Sequence, residues 1–118
     1  MAGEPLKYHA KIRVYYAEKN FGPGTVELMS LVRQTGSLSS ACKQMGMAYS
    51  KAWKMVGRAE ADLGFSLMEG IRGGEHGGRT VLTEQGEAFL NRYLAFERDA
   101  KTELDRLFEQ HFGGLQSD

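Results

Sequence analysis

The stretch that decides the fold is Gly36–Gly64, GSLSSACKQMGMAYSKAWKMVGRAEADLG, which holds two runs of apolar residues at helical spacing. The first run predicts a helix over 38–45 that is capped by Ser37, whose oxygen can accept an unpaired backbone N–H. Gly46 follows this helix, at the point where a left-handed residue often ends one. The second run predicts a helix over 48–63. Two short helices joined by a turn that contains glycine are typical of a helix-turn-helix unit.

The outer face of the second predicted helix indicates what the unit binds. Its outward positions are cationic or hydrogen-bonding, and they are Tyr49, Ser50, Lys51, Lys54 and Arg58. The 32 residues of 28–59 contain no acid, although the chain has 15 acids in all. Side chains on such a face can reach base edges and phosphates from the major groove of DNA. A solvated charged face is the alternative interpretation, and the acid-free run favours DNA.

Charge is distributed unevenly along the chain. The 118 residues carry 15 Lys/Arg and 15 Asp/Glu, so the formal net charge is zero. Residues 1–82 hold 11 basic and 7 acidic side chains, a net charge of +4, whereas residues 83–118 hold 4 and 8, a net charge of −4. A basic body with an acidic C-terminal element leaves one face attractive to nucleic acid. The length predicts one domain over 1–118.

Composition also excludes several classes of protein. No stretch of 18 apolar residues exists and the N-terminus has no apolar core, so we expect neither a membrane partner nor a signal peptide. Cys42 is the only cysteine, which indicates a reducing, cytoplasmic compartment. Its position on an inward helical face favours a small core residue over a redox sensor.

No motif of a common enzyme class is present. HExxH, GxSxG and paired CxxC motifs are missing, and His9, His76 and His111 fall on three different predicted elements. We therefore expect no catalytic residues, no metal site and no cofactor.

In the segment before the helix-turn-helix unit, apolar residues recur at a different spacing. Residues 7–16 alternate apolar and polar side chains, which predicts a half-buried strand. Asn, Gly and Pro in 20–24 indicate a turn that ends this strand. A helix opened by Thr25 and closed by Gly36 is predicted next, packed behind the helix-turn-helix unit because two short helices cannot bury a core alone.

A glycine-rich hairpin is predicted after the unit. Residues 67–72 and 80–82 are strand candidates, and GGEHGGR at 73–79 lies between them. Four glycines in these seven residues allow close backbone approach to a partner. In a winged helix this hairpin is the wing, and its DNA-contacting side chains would be Arg72, His76 and Arg79. A nucleotide-binding loop is the alternative, but the loop lacks the GK[ST] and GxGxxG signatures.

The last predicted element is a long helix over 83–112, capped by Thr83. At 1.5 Å per residue such a helix is about 45 Å long, while a domain of about 100 residues has a radius of gyration near 13 Å. The helix must overhang the core, so its distal apolar residues need a partner. A second copy, giving a homodimer, is the hypothesis; bending or fraying of the helix is the alternative. The dimer residues would be Leu104, Leu107, Phe108 and Phe112.

The order of elements predicts a mainly α protein with a small β-sheet, a winged helix-turn-helix whose N-terminal strand is able to join the wing sheet. The run from 37 to 86 resembles the LysR-type helix-turn-helix, with its pattern S-L-x-x-A-A-x-x-L, then L-G-x-x-L, then L-T-x-x-G. The matching residues are Ser37, Leu38, Ala41, Cys42, Met45, Leu63, Gly64, Leu67, Leu82, Thr83, Gln85 and Gly86.

The resemblance is closer to the N-terminal domain of the molybdate-responsive regulator (ModE) family, and it covers residues 8–98. Four family features are a G-P-G turn, the G-S-[IL]-S start, the G-[MI]-[SA]-Y-x-x-A-W element and a glycine-rich wing. They correspond here to 22–24, 36–39, 46–53 and 73–79.

The resemblance implies a regulator that binds double-stranded DNA. Tyr49, Ser50, Lys51 and Lys54 would face the groove, with Arg58 toward phosphate. Ser39 and Ser40 would meet a phosphate at the start of the first motif helix. Trp53 would either close the groove face or pack at the core edge, and we favour packing.

Full members of that family carry C-terminal oxyanion-binding modules. Nothing after Phe112 resembles one, so we expect that this chain does not itself bind molybdate and that another protein or ligand gates it, or that it binds DNA constitutively. A protein-interaction module that uses the winged fold without DNA is the alternative function.

Overall fold

Four α-helices and two antiparallel strand pairs make up the described part of the chain, residues 4–16, 19–71 and 79–115 of a computed structural model. The helices are α1 Pro23–Thr35, α2 Leu38–Met45, α3 Tyr49–Leu63 and α4 Glu84–Phe112. Strands β1 Val14–Tyr16 and β2 Lys19–Phe21 form one pair, and β3 Met68–Ile71 and β4 Arg79–Leu82 form the other. A 3-10 turn over Gly113–Leu115 follows α4. The predicted winged helix-turn-helix is confirmed.

Glycine and hydroxyl side chains set the helix ends where the sequence predicts. Gly36, Gly46 and Gly64 follow α1, α2 and α3 in the left-handed region, with φ of 72°, 66° and 83°. The Ser37 hydroxyl accepts a hydrogen bond from the Ser40 N–H at the start of α2. The Thr83 hydroxyl accepts one from the Gly86 N–H at the start of α4. Gly46 lies in the turn between α2 and α3, so the left-handed residue that ends α2 is part of the helix-turn-helix turn.

The core lies where α1 packs behind the helix-turn-helix unit, as predicted. Its largest fully buried side chains are Leu28, Met29, Val32, Leu38, Val56, Leu67 and Leu90. Cys42 is buried with them, and this burial raises the pKa of its thiol. The structure therefore makes Cys42 a core residue.

The predicted N-terminal strand is present, but its length and pairing, the turn after it and the start of α1 differ from the prediction. The strand predicted over 7–16 is reduced to β1, and β1 pairs with β2 rather than with the wing sheet. The segment interpreted as a turn includes the last two residues of β2. Phe21 is buried in the core at 2% exposure, with its ring centroid 4.6 Å from that of Phe89. Helix α1 accordingly begins at Pro23, two residues before the predicted start at Thr25. The fixed φ of proline suits the first helical position.

Residues 5–13, the N-terminal arm, contain no helix or strand and lie along α4. The Tyr93 hydroxyl donates to the Ile12 carbonyl oxygen. Farther along α4, the Tyr8 hydroxyl donates to the Asp105 carboxylate over 2.5 Å, and the Tyr8 ring centroid lies 5.1 Å from that of Phe108. Side-chain contacts rather than a strand ladder hold the arm, which is why the alternating pattern did not produce a longer strand.

Helix α4 continues without interruption for 29 residues and does not bend back onto the core. It gives the molecule extents of 61 × 31 × 22 Å and a radius of gyration of 18.3 Å. A compact domain of this size has a radius near 13 Å, so the helix overhangs the core as predicted. None of the described helices has the length and apolarity needed to cross a membrane.

Candidate nucleic-acid interface

Helix α3 presents one face to the core and the opposite face to solvent. Ala52, Val56 and Ala59 are buried, at the i, i+4, i+7 spacing of an inward stripe. The predicted DNA-contacting residues of this helix are all exposed, and they are Tyr49, Ser50, Lys51, Lys54 and Arg58. The structure therefore gathers these five predicted residues on one open surface, which we call the α3 outer face.

The cations of this face are not neutralised within the described residues. Lys51, Lys54 and Arg58 take part in no salt bridge or side-chain hydrogen bond there. Glu60, the first acid after the acid-free run, turns away, and its carboxylate accepts the Leu67 N–H over 2.7 Å. The positive charge of the α3 outer face is therefore left for an external anion.

One cation of the acid-free run does not belong to this face. The Arg33 guanidinium, at the end of α1, donates to the Glu87 carboxylate over 3.0 Å and to the Asn91 side-chain oxygen over 2.8 Å. Both partners lie on α4, so Arg33 ties α1 to the long helix. The positive charge of Arg33 is part of the acid-free run that favoured DNA binding, but in the structure it is paired within the chain.

Trp53 does not pack at the core edge as expected from the sequence. It is 45% exposed, and its ring lies 6.1 Å from that of Tyr49, edge to face at an interplanar angle of 70°. The two residues are four apart on α3, which brings their side chains together on one flank of the helix. That i, i+4 spacing in the sequence was the signal that could have placed Trp53 beside the groove face.

A cleft of about 360 Å³ lies on this flank, between α3, the start of α2 and the wing strands. We call it the aromatic cleft, and it is lined by Ser37, Leu38, Ser39, Tyr49, Trp53, Gly70, Ile71, Arg79 and Thr80. The Thr80 N–H donates to the Gly36 carbonyl oxygen over 2.9 Å, which fixes β4 against the α1–α2 turn. One side of the aromatic cleft is thus held by a backbone hydrogen bond between the wing and the α1–α2 turn.

The remaining predicted contacts are distributed around this cleft. Arg79 opens β4 and is exposed, and Ser39 is exposed in the first turn of α2. Ser40 is half-buried, with its N–H engaged by the Ser37 cap. Arg72 and His76 lie outside the described residues. Strands β3 and β4 pair from Met68 with Leu82 to Ile71 with Arg79, so the wing is present up to its tip.

The overhanging part of α4 carries apolar side chains that the core does not cover. Leu107 and Phe112 are 38% and 43% exposed, and Leu104 and Phe108 are half-buried. Phe108 already has neighbours within the chain, since its ring packs on Tyr8 and lies 5.2 Å from the Phe112 ring. Phe96, on the same helix, is also exposed, at 54%. Across the described residues no group of three His, Cys, Asp or Glu could hold a metal ion.

The helix-turn-helix, the paired wing strands and the cationic α3 outer face define a winged helix-turn-helix protein. Residues 25–87 match the family described as bacterial regulatory helix-turn-helix protein, lysR family. The match covers more than half of the chain, and the chain belongs to this family.

Similar proteins include two whose names refer to molybdenum and one that is named a DNA-binding transcriptional regulator. The chain is 34% identical over 76 residues to the molybdenum-pterin-binding protein MopB of Rhodobacter capsulatus, which covers 64% of this chain and 28% of MopB. It is 29% identical over 85 residues to the molybdenum transport protein ModE of Azotobacter vinelandii, which covers 72% of this chain and 32% of that protein. The DNA-binding transcriptional dual regulator ModE of Escherichia coli is 30% identical over 71 residues, covering 60% of this chain and 27% of the regulator. The matched region thus spans a third or less of each relative, and the resemblance to the ModE family is confirmed.

Proposed function

We propose that this chain is a sequence-specific, double-stranded DNA-binding transcriptional regulator that inserts α3 into the major groove. One observation carries the proposal: the α3 outer face is exposed, free of acids and carries Lys51, Lys54 and Arg58 without ion-pair partners among the described residues. A helix with such a face can contact base edges and phosphates together. The Escherichia coli relative, which its name describes as DNA-binding, supports the same function.

The roles of the side chains follow from their positions. Lys51 and Lys54, with Tyr49 and Ser50, occupy the first half of α3, which enters the groove most deeply in helix-turn-helix proteins, so they are assigned to base recognition. Arg58, farther along α3, is assigned to phosphate. Release of condensed counterions by these cations supplies most of the affinity and makes it fall with salt.

The flanks of the duplex are assigned to α2 and the wing. Ser39 and Ser40 lie in the first turn of α2, where their hydroxyl groups and the helix dipole favour a phosphate. Arg79, at the start of β4, is assigned to the backbone on the wing side, and Arg72 and His76, which the structure does not describe, to the wing tip. These contacts orient the protein and carry no sequence information.

The protein is proposed to act as a homodimer through the overhanging half of α4. Phe96 and Leu107 are exposed on a helix that extends past the core, and Leu104 lies half-buried between them. An isologous contact between two such helices would bury these side chains and give the assembly a two-fold axis. A two-fold dimer would present its two α3 helices to half-sites about 34 Å apart, one helical turn of DNA. Leu104, Leu107, Phe108 and Phe112 remain the assigned interface, to which Phe96 is added.

The names of two relatives refer to molybdenum, but molybdate binding by this chain is not part of the proposal. We propose a single DNA-binding domain over 1–118, in the cytoplasm, without catalytic activity, that another protein or ligand gates or that binds constitutively. Added sodium molybdate should leave the DNA affinity of this chain unchanged. A molybdate-dependent change in affinity would contradict this part of the proposal.

Fluorescence anisotropy of a labelled random-sequence duplex, titrated with the protein at stepped salt concentrations, tests the function. Each phosphate contact contributes about 0.9 to the slope of log affinity against log salt, so several contacts give a steep fall. A protein-interaction module that uses the same fold without DNA would leave the anisotropy unchanged at low salt. Selection of bound sequences from a random library then tests sequence specificity, and two half-sites one turn apart are the expected result.

A further inference from the structure

We propose that the aromatic cleft seats the sugar–phosphate backbone of one DNA strand, with the Trp53 indole packed against a deoxyribose and Arg79 facing the adjoining phosphate. This inference rests on the proposed DNA-binding function and deepens it. It assigns to Trp53, which the sequence favoured as a packing residue, a direct contact with the partner. It also names the kind of contact, an apolar one to the sugar rather than a hydrogen bond to a base.

The position of Trp53 is the first support. The side chain is 45% exposed on the flank of α3, although tryptophan is usually buried over most of its large surface. The edge-to-face contact with Tyr49 holds the indole in place, with ring centroids 6.1 Å apart, rather than leaving it loose on the surface. A large aromatic side chain that is held in place yet half-exposed is typical of a binding hot spot.

The lining of the cleft is the second support. Leu38 and Ile71 give the cleft an apolar part, and Ser37, Ser39 and Thr80 supply hydroxyl groups. Arg79 is the charged residue among the described lining residues, and no acid is among them. A nucleotide unit of DNA has the same two parts, a sugar with an apolar face and an anionic phosphate, so the cleft and the backbone are complementary in charge and polarity.

The location of the cleft is the third support. It lies between α3, proposed for the major groove, and the paired strands of the wing. A backbone strand that borders the groove must pass between these two elements if both touch the duplex. The bond from the Thr80 N–H to the Gly36 carbonyl oxygen holds β4 against the α1–α2 turn, so this side of the cleft is in place before DNA binds.

Trp53 is the only tryptophan of the chain, so its fluorescence reports on the cleft directly. The full chain is titrated with unlabelled duplex DNA while tryptophan emission and its quenching by acrylamide are recorded. The expected result is a change in emission that saturates at the affinity measured by anisotropy, with lower acrylamide access in the complex. Inorganic polyphosphate, which has the anion but no deoxyribose, is expected to leave acrylamide access unchanged.

Substitution gives a second, independent readout with labelled DNA. Trp53→Ala should weaken duplex binding about tenfold, the effect of removing roughly 55 Å² of buried apolar surface. The slope of log affinity against log salt should stay at its wild-type value, because no cation is removed. Trp53→Phe should retain most of the affinity. Tyr15→Ala, which removes a 68%-exposed aromatic side chain of β1 away from the cleft, is the matched control and should bind as the wild type does.

Contrary results distinguish failure of the cleft proposal from failure of the DNA-binding function. If anisotropy shows duplex binding while Trp53 emission and acrylamide access do not change, the cleft proposal is overturned and the DNA function stands. If acrylamide access falls with protein concentration in the absence of DNA, a second copy occupies the cleft and the proposal is likewise overturned. If no duplex binds at any salt concentration, the DNA function itself fails. Circular dichroism of Trp53→Ala tests whether the variant is folded. The emission experiment uses the wild-type chain and does not depend on that variant.

Discussion

The backbone of Gly86 lies directly against the carbonyl oxygen of Leu67: a Cβ atom built on Gly86 would be 2.1 Å from that oxygen. The Thr83 N–H donates to the same oxygen over 3.0 Å, and the Thr83 hydroxyl donates to the Ser66 carbonyl oxygen over 2.6 Å. The first turn of α4 is thus fastened to the residues that lead into β3. The structure therefore requires a residue without a side chain at Gly86.

Gly86→Ala should therefore destabilise the fold by about 2–3 kcal/mol, because the obstructing atoms belong to backbone and cannot turn aside. Gly57→Ala is the matched control, since Gly57 is also a helix-interior glycine but has nothing within 4 Å of its Cβ position. That change should stabilise the chain by roughly 0.5–1 kcal/mol through the helix preference of alanine. Thermal or urea unfolding followed by circular dichroism measures both, and equal shifts in the two variants would contradict the close approach.

Cys42 should not act as a redox sensor. Its side chain is 4% exposed, and burial raises the pKa of its thiol, so the reactive thiolate is scarce and shielded at neutral pH. A thiol-specific chromogenic reagent should modify the folded protein only as fast as the core opens, and should react at once in denaturant. Rapid modification under native conditions, with loss of DNA binding that a reductant restores, would show a sensor instead.

The contact of the N-terminal arm with α4 should depend on pH in two steps. The hydrogen bond from Tyr8 lowers the pKa of Asp105, so this contribution is complete above the ordinary carboxyl pKa near 4 and is lost as pH falls through the lowered value. The same bond to Asp105 raises the pKa of Tyr8 above 10.0, so the contribution is complete below 10 and is lost as pH rises through the raised value. The arm should dock most firmly between these limits.

Nuclear magnetic resonance of the arm amides across pH measures this docking. In Tyr8→Phe both steps should disappear while the ring contact with Phe108 remains, because only the hydroxyl is removed. Tyr15→Phe, at an exposed tyrosine outside this contact, should titrate as the wild type does. An unchanged profile in Tyr8→Phe would show that the hydroxyl does not hold the arm.

Dimer formation should depend on the exposed apolar side chains of the overhanging part of α4. Leu107→Asp places a charge at a 38%-exposed leucine and should convert the dimer to a monomer without changing the helical signal. Thr102→Asp adds the same charge at an exposed position on another side of α4 and should leave the dimer intact. Analytical ultracentrifugation at micromolar protein distinguishes them. A wild-type protein that sediments as a monomer would remove the dimer from the account.

Most of the fold could be predicted from local signals in the sequence. Each helix of the helix-turn-helix unit is followed by a left-handed glycine, and α2 and α4 are preceded by the hydroxyl caps Ser37 and Thr83. These helix ends are therefore determined by neighbouring residues. The α3 outer face was also predictable, because the apolar stripe of Ala52 and Val56 fixes which side is outward. These features depend on period and capping, which act within one or two turns of helix.

The features that sequence did not predict depend on contacts between distant residues. Phe21 was interpreted as part of a turn because Gly and Pro follow it, yet its ring meets Phe89 of α4 and the residue joins a strand. The pairing of Arg33 with Glu87 spans 54 residues, and local pattern gave no sign that this cation is used internally. For Trp53 the i, i+4 spacing from Tyr49 was an available local signal, but the cleft beside it is completed by wing strands far along the chain and could not be predicted.

The most direct test of the central claim is the salt dependence of duplex binding for wild type, Lys54→Ala and Lys7→Ala, measured by fluorescence anisotropy. Lys54 lies on the α3 outer face and Lys7 on the N-terminal arm, and both are exposed, so the two variants lose the same charge at different places. Insertion of α3 into DNA predicts a steep fall of wild-type affinity with salt. Lys54→Ala should bind more weakly, with the slope of log affinity against log salt flattened by about 1, and Lys7→Ala should change little. Equal effects of the two substitutions, or no duplex binding at low salt, would contradict insertion of α3 into DNA.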